Sequence, residues 1–298
     1  MSQMNFLGFL MNVDSSISKV NFGHGISVRA MPIDDAYQLL SKLDNFKDYG
    51  IFVQETVEVW SNDKEFYVLT GEFEADNTPP GTMEFHNKVL DPLLDIFLPK
   101  LRLFKEGNIQ LPLFYVYSEQ DGTVARRERG GFAKSAHGPK FHVEKSEVEQ
   151  LEMFINSFEL PFAEQYIDLA FQSYDKSYGW LHPNLSFLLL MIGLESLFNQ
   201  SGSEITYKVS RYSAVLLGNT IEECRSIFAE VRSLYGLRSK IIHGTPGLVV
   251  KGEDVSTLRS LLRDSIKKIS VAKSSKHDLL EELDARGYGG KSLPADVQ

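Results

Sequence analysis

Between Asn184 and Asn199 the chain is apolar almost all the way round a helix, with Phe187 to Leu194 as its longest apolar run. A helix with no polar face cannot lie on a surface, so it must be surrounded by others. This run is far too short to span a bilayer. It therefore predicts the central helix of a bundle, and the segments around it agree. Glu147 to Tyr178 carries Leu151, Phe154, Ile155, Phe158, Phe162, Tyr166, Ile167 and Phe171 at helical spacing, with Pro161 as a bend or break. Ser203 is the expected cap of a helix running to about Leu217 and ended by Gly218. Thr220, with Glu223 three residues on, is a capping box opening another. Glu253 to about Ser274 supplies Val255, Leu258, Leu261, Leu262, Ile266 and Ile269. Short connections between such helices indicate antiparallel neighbours in a bundle.

Residues 1–145 have a different texture. Met31 to Asp48 reads as a short helix carrying Ala36, Leu39, Leu40 and Leu43. Phe52 to Trp60 and Glu65 to Glu74 read as strands joined by the turn Ser61 to Lys64, and Ile109 to Ser118 as a further strand. Thr78 to Gly81 is a loop, and Lys88 to Leu98 a helix. The fold class is then an α+β amino-terminal domain, 1–145, followed by an all-α helical bundle, 146–287, and a tail, 288–298, that frays.

Composition narrows the function. The 298 residues carry a net charge of −9, against a general nucleic-acid binder held by bulk charge, though a local basic cleft remains open. Cys224 is the sole cysteine, so the chain holds no disulfide framework, which suits a reducing cytoplasm. No signal peptide is seen. His86, His137 and His142 lack regular metal spacing, so neither a metal site nor a cofactor is expected. The basic run Arg126-Arg127-Glu128-Arg129 before Gly130-Gly131 is read first as a solvated loop, and second as a phosphate or RNA contact.

The chemistry concentrates in Leu234-Tyr235-Gly236-Leu237-Arg238-Ser239-Lys240-Ile241-Ile242-His243-Gly244. Arg238 falls on the apolar stripe of its helix, where an unpaired guanidinium is costly and cannot discharge itself. It must meet a carboxylate or border a cleft. Glu195, the sole acid in the apolar 184–199 helix, is the natural partner. His243 closes the helix ahead of Gly244 and Pro246. It sits about 140° around and about 7.5 Å along the axis from Arg238. The helix macrodipole favours its imidazolium and Arg238 opposes it, as suits proton exchange near neutrality. Lys208 and Arg211 lie three apart and either add charge to the cleft or form a solvated face. Tyr207 and Tyr235 either stack on a base or pack in the core, the latter being the better fit.

Arg-x4-His at a helix end, with Leu-Tyr-x-Leu before it and Gly after it, resembles the HEPN superfamily (higher eukaryotes and prokaryotes nucleotide-binding), and within it the Apea-like branch. Two upstream stretches in the expected order carry the likeness further: Gly193-Leu194-Glu195-Ser196-Leu197-Phe198 and Glu204-Ile205-Thr206-Tyr207-Lys208-Val209-Ser210-Arg211. The resemblance covers about residues 180–270. It implies a metal-independent endoribonuclease with Arg238 and His243 catalytic, and with Glu195, Ser239, Lys208, Arg211, Tyr235 and Lys240 supporting or RNA-binding. It also implies a homodimer with both motifs facing one cleft, and a cytoplasmic toxin or effector role in stress response or antiphage defence, with RNA and an inhibitory or trigger protein as partners. Many members expected to be nucleases carry Asn, Asp or His directly after the Arg; Ser239 offers a hydrogen bond there but no charge. The alternative is a non-catalytic module that binds a nucleotide or a protein partner and mediates dimerisation.

Overall fold

The apolar residues of the amino-terminal unit alternate sides of a sheet, and each side finds a helix to cover it. The structure is a computed structural model describing residues 2–23, 25–44, 65–75, 96–117, 124–128, 139–179, 182–200, 203–272 and 274–287. Strands β1 (Ser2–Met11), β2 (Ser27–Pro32), β3 (Glu65–Ala75), β4 (Gln110–Tyr117) and β5 (Val124–Glu128) form an antiparallel sheet in the order β2-β3-β1-β4-β5. Met4, Phe6 and Leu10 of β1 face one core with Leu69, Phe114 and Val116. Helices α2 (Leu98–Phe104) and α3 (Val148–Ser157) close that core through Leu98, Leu101, Leu151 and Ile155. Leu7 and Phe9 face the opposite core with Phe66, Val68, Tyr115 and Ala36 of α1 (Ile33–Asp44). Gly8 fits the crowded side because a Cβ there would come within 2.6 Å of Leu111.

These assignments refine the sequence reading. β3 and β4 lie where strands are expected, and α1 begins at Ile33 instead of Met31, because Met31 and Pro32 end β2; residues 45–48 of the predicted helix fall outside the described residues. The predicted strand 52–60, its turn 61–64, the loop 78–81 and most of the helix 88–98 fall outside the described residues. β1 has no predicted counterpart: buried on both faces, it shows little of the alternation that marks a half-buried strand. Arg126, Arg127 and Glu128 lie in β5 and pair with β4, so this part of the basic run is strand and not loop; Arg129 lies outside the described residues.

The chain divides into units Met1–Leu160 and Pro161–Gln298, not at residue 145, because α3 packs its Leu151 and Ile155 into the sheet core. The second unit contains α4 (Gln165–Lys176), α5 (Pro183–Phe198), α6 (Ile205–Leu217), α7 (Ile221–Ile242), α8 (Gly252–Ala272) and α9 (Lys276–Gly287). α5 is central, packing against α4, α6, α7, α8 and α9. Its Gly193 lets α8 approach, since a Cβ would lie 2.5 Å from Leu262. Ser203 does not cap α6; Glu204 occupies that position in a left-handed conformation, φ 56°, without a side-chain cap. Among the described residues no helix is long and apolar enough to cross a membrane.

Candidate functional site

Both ends of α7 are built to hold. At the start, Thr220 Oγ1 accepts the Glu223 N–H at 3.1 Å while the Glu223 carboxylate accepts the Thr220 N–H at 3.3 Å, completing the capping box. At the finish, His243 is the C-cap and Gly244 adopts φ +67°. The Gly244 N–H donates to the Ile241 carbonyl and the Thr245 N–H to the Lys240 carbonyl, each at 3.0 Å. That bond pair is the Schellman closure, which needs a left-handed residue after the cap. His243 is thereby fixed by its backbone, its N–H donating to the Ser239 carbonyl at 3.0 Å.

One turn before that closure, α7 meets α5. Arg238 lays one edge of its guanidinium along Glu195, with Nε 3.0 Å from Oε1 and Nη2 donating to Oε2 at 3.3 Å. This two-point grip sets the guanidinium plane as well as its position. The buried Tyr235 donates its hydroxyl to Glu195 Oε1 at 3.2 Å, and its ring centroid lies 5.9 Å from the Arg238 guanidinium carbon. Burial, and then the Glu195 charge, push the Tyr235 phenol far above its ordinary pKa, with Arg238 pulling the other way. Tyr235 is thus a neutral donor that orients Glu195, and it is not placed to stack on a base.

The pair is not sealed. The Arg238 side chain is 32% exposed and Glu195 19%. Nη1 of Arg238 has no hydrogen-bond partner among the described residues and is not cut off from solvent. His243 is exposed, and its ring makes no hydrogen bond or ion pair with any described residue. One chain therefore presents the open edge of an anchored cation and, five residues on, an exposed imidazole.

The other predicted residues are distributed unevenly. Ser239 and Lys240 are exposed on the last turn of α7, and their carbonyls belong to the helix closure. Lys208 is half-buried on α6. Arg211 is paired with Asp284 of α9, whose other carboxylate oxygen accepts the Tyr212 hydroxyl at 3.1 Å, so its contacts tie α6 to α9. Tyr207 is exposed and meets Phe228 edge-on at 5.9 Å between centroids. His142 lies in the first unit, 2.7 Å from Asp14 Oδ2 and 3.4 Å from Glu144; His86 and His137 are outside the described residues. No cluster of three or more metal-ligating side chains occurs among the described residues.

Asn184 escaped the sequence reading. Its amide donates to the Leu248 carbonyl at 3.0 Å and accepts the Val250 N–H at 2.9 Å, binding the loop after His243 to the first turn of α5. An Asn beside a Pro carries no local sign of a partner 66 residues away.

In comparison with known proteins, the chain matches no family model, no curated protein and no solved structure.

Proposed function

We propose that the chain is a metal-independent endoribonuclease of HEPN type, acting as a homodimer in the cytoplasm as an effector of stress response or antiphage defence. The observation that carries the reading is the Arg238 guanidinium, held by Glu195 along one edge and open along the other, on the same helix as the exposed His243 five residues on. An open guanidinium edge fits phosphate oxygens. In the reaction the ribose 2′-oxygen forms a bond to the adjacent phosphorus and the bond to the 5′-oxygen breaks. A base takes the 2′-hydroxyl proton, an acid gives a proton to the departing oxygen, and a cation stabilises the charge on the phosphorane oxygens. Arg238 serves as the cation, and His243 as one proton carrier. The products are a 2′,3′-cyclic phosphate and a 5′-hydroxyl.

One imidazole does not readily fill both proton roles in a turnover. A second copy supplies the other His243 if a two-fold axis brings the motifs onto one cleft. The surface supports such a pairing. Leu185, Leu188, Leu189 and Ile192 follow the i, i+3, i+4, i+7 spacing of one face of α5, with Leu185 and Ile192 44% and 46% exposed, and that face leads to Glu195. Ile242, one turn beyond Arg238, is also exposed. An apolar face running to the edge of a half-built site fits a self-complementary interface.

The second reading, a non-catalytic module binding a nucleotide or partner protein, draws on the same grip: Glu195 already neutralises Arg238. Purified protein incubated with total RNA and EDTA separates the two. The nuclease reading expects cleavage with cyclic-phosphate ends that is lost in both Arg238→Ala and His243→Ala. A His243→Ala protein cutting at the parental rate removes the basis for it.

A further inference from the structure

The seam between α4 and α8 holds a second recessed guanidinium, built from helices other than those that carry Arg238 and Glu195. Arg259, Arg263 and Lys267 stand four residues apart on α8, so each lies about 6 Å further along nearly the same face. Arg259 is buried and engaged: Nε donates to Ser177 Oγ at 3.2 Å, Nη2 to the Ser177 carbonyl at 3.3 Å, and its guanidinium carbon lies 4.1 Å from the Tyr178 ring centroid. Arg263 is held differently. Its Nε donates to Asp264 Oδ1 at 3.0 Å, and its side chain is only 14% exposed. Its two terminal nitrogens donate to no described residue, yet they are not sealed from solvent.

A guanidinium this recessed, whose terminal donors meet only water, can exchange that water for the oxygens of an anion. Lys267, half-buried one turn further on, adds a second cation. Burial lowers the pKa of its ammonium, Asp264 opposes that, and Arg263 adds to it. Asp264 acts on both cations, and it is itself half exposed. Tyr174 lies wholly buried alongside, its hydroxyl 3.1 Å from that of Tyr178 and within electrostatic reach of Arg263 and Arg259. The phenols supply no negative charge, because burial pushes the Tyr174 pKa well above its ordinary value. Asp264 holds the guanidinium at Nε and leaves the two terminal nitrogens as the fork that phosphate oxygens accept.

We propose that Arg263 and Lys267 form a binding site for a phosphate-class anion, separate from the Arg238 site. The chemistry is shared by free polyphosphate and by the phosphodiester of a single strand. Both are tested by calorimetric titration of the full chain in an Arg238→Ala background, so the ribonuclease reading plays no part in the outcome. One arm uses inorganic pyrophosphate, and the other a short single-stranded oligoribonucleotide with 2′-O-methyl sugars. Saturable binding is expected in at least one arm, and the tighter arm names the source. The affinity should weaken about tenfold in Arg263→Gln, the loss of a charge-assisted hydrogen bond, and less in Lys267→Gln. Circular dichroism of each variant reports folding, and Lys267→Gln, which leaves the Arg263–Asp264 pair in place, keeps the test alive if Arg263→Gln unfolds. Absence of saturable binding in both arms, or affinities unchanged by the substitutions, overturns the proposal.

Discussion

Replacing Glu195 by alanine would strip the acceptor from two partners at once. The Arg238 guanidinium would lose contacts at 3.0 and 3.3 Å, and the buried Tyr235 hydroxyl one at 3.2 Å. An orphaned buried hydroxyl costs about 1–3 kcal/mol. Breaking a fully buried ion pair costs about 3–5 kcal/mol, but Arg238 is one-third exposed and water recovers much of its share, leaving about 1 kcal/mol. The sum is a destabilisation of about 2–4 kcal/mol. With a urea slope of about 2 kcal/mol/M, the midpoint of the bundle transition should fall by about 1–2 M. Tyr235→Phe removes only the phenol's bond and should cost about 1 kcal/mol. A double-mutant cycle between Glu195→Ala and Arg238→Ala should return a coupling of about 1–3 kcal/mol. Urea curves at fixed protein concentration measure all five proteins, the parent included. A Glu195→Ala midpoint within error of the parent, or zero coupling, would show that the grip contributes nothing and that Arg238 is not being held in place.

Three phenols, Tyr174 and Tyr235 buried and Tyr166 half-buried, set an alkaline limit. Burial raises Tyr166 to about 12 and moves Tyr174 and Tyr235 further up, so the folded state keeps them neutral while the unfolded chain releases their protons from about pH 10. Their contribution is fully present below that pH and is lost above it at about 1.4 kcal/mol per group per pH unit; helicity followed beside phenolate absorbance should show them ionising only as the bundle unfolds. Glycines separate packing from backbone. Gly193→Ala should destabilise by about 1–3 kcal/mol through the clash with Leu262. Gly236→Ala, in the middle of α7 with nothing within 4 Å of the added methyl, should stabilise by about 0.5–1 kcal/mol in the same melting experiment. Gly244→Ala also meets nothing, but its φ of +67° should cost about 1–2 kcal/mol, and a shift of the His243 ring resonances would show the helix end loosening.

Helix ends, turn glycines and the all-round apolar character of α5 were legible in the residues, because caps and periodicity act within a few positions of the chain. The box at Thr220 and Glu223, the closure at Gly244 and the break at Pro161 are local chemistry of this sort. So is the oddity of an arginine on the stripe of one helix and a lone glutamate in another, though their meeting depended on how α5 and α7 cross. β1 gave no comparable signal, since a strand enclosed on both sides loses its alternation. The cap at Glu204 in place of Ser203 shows the limit even of local rules.

What the chain determined alone was a set of segments, their ends and a short roster of charged residues that demanded partners. Tertiary structure decided which demands were met. Arg211 went to Asp284, Arg259 to Ser177 and Tyr178, and Arg238 to Glu195 with one edge left over. A charge declares in sequence only that burial without compensation is expensive; the geometry of packed helices, across dozens of intervening residues, settles whether compensation is complete and where a donor stays open.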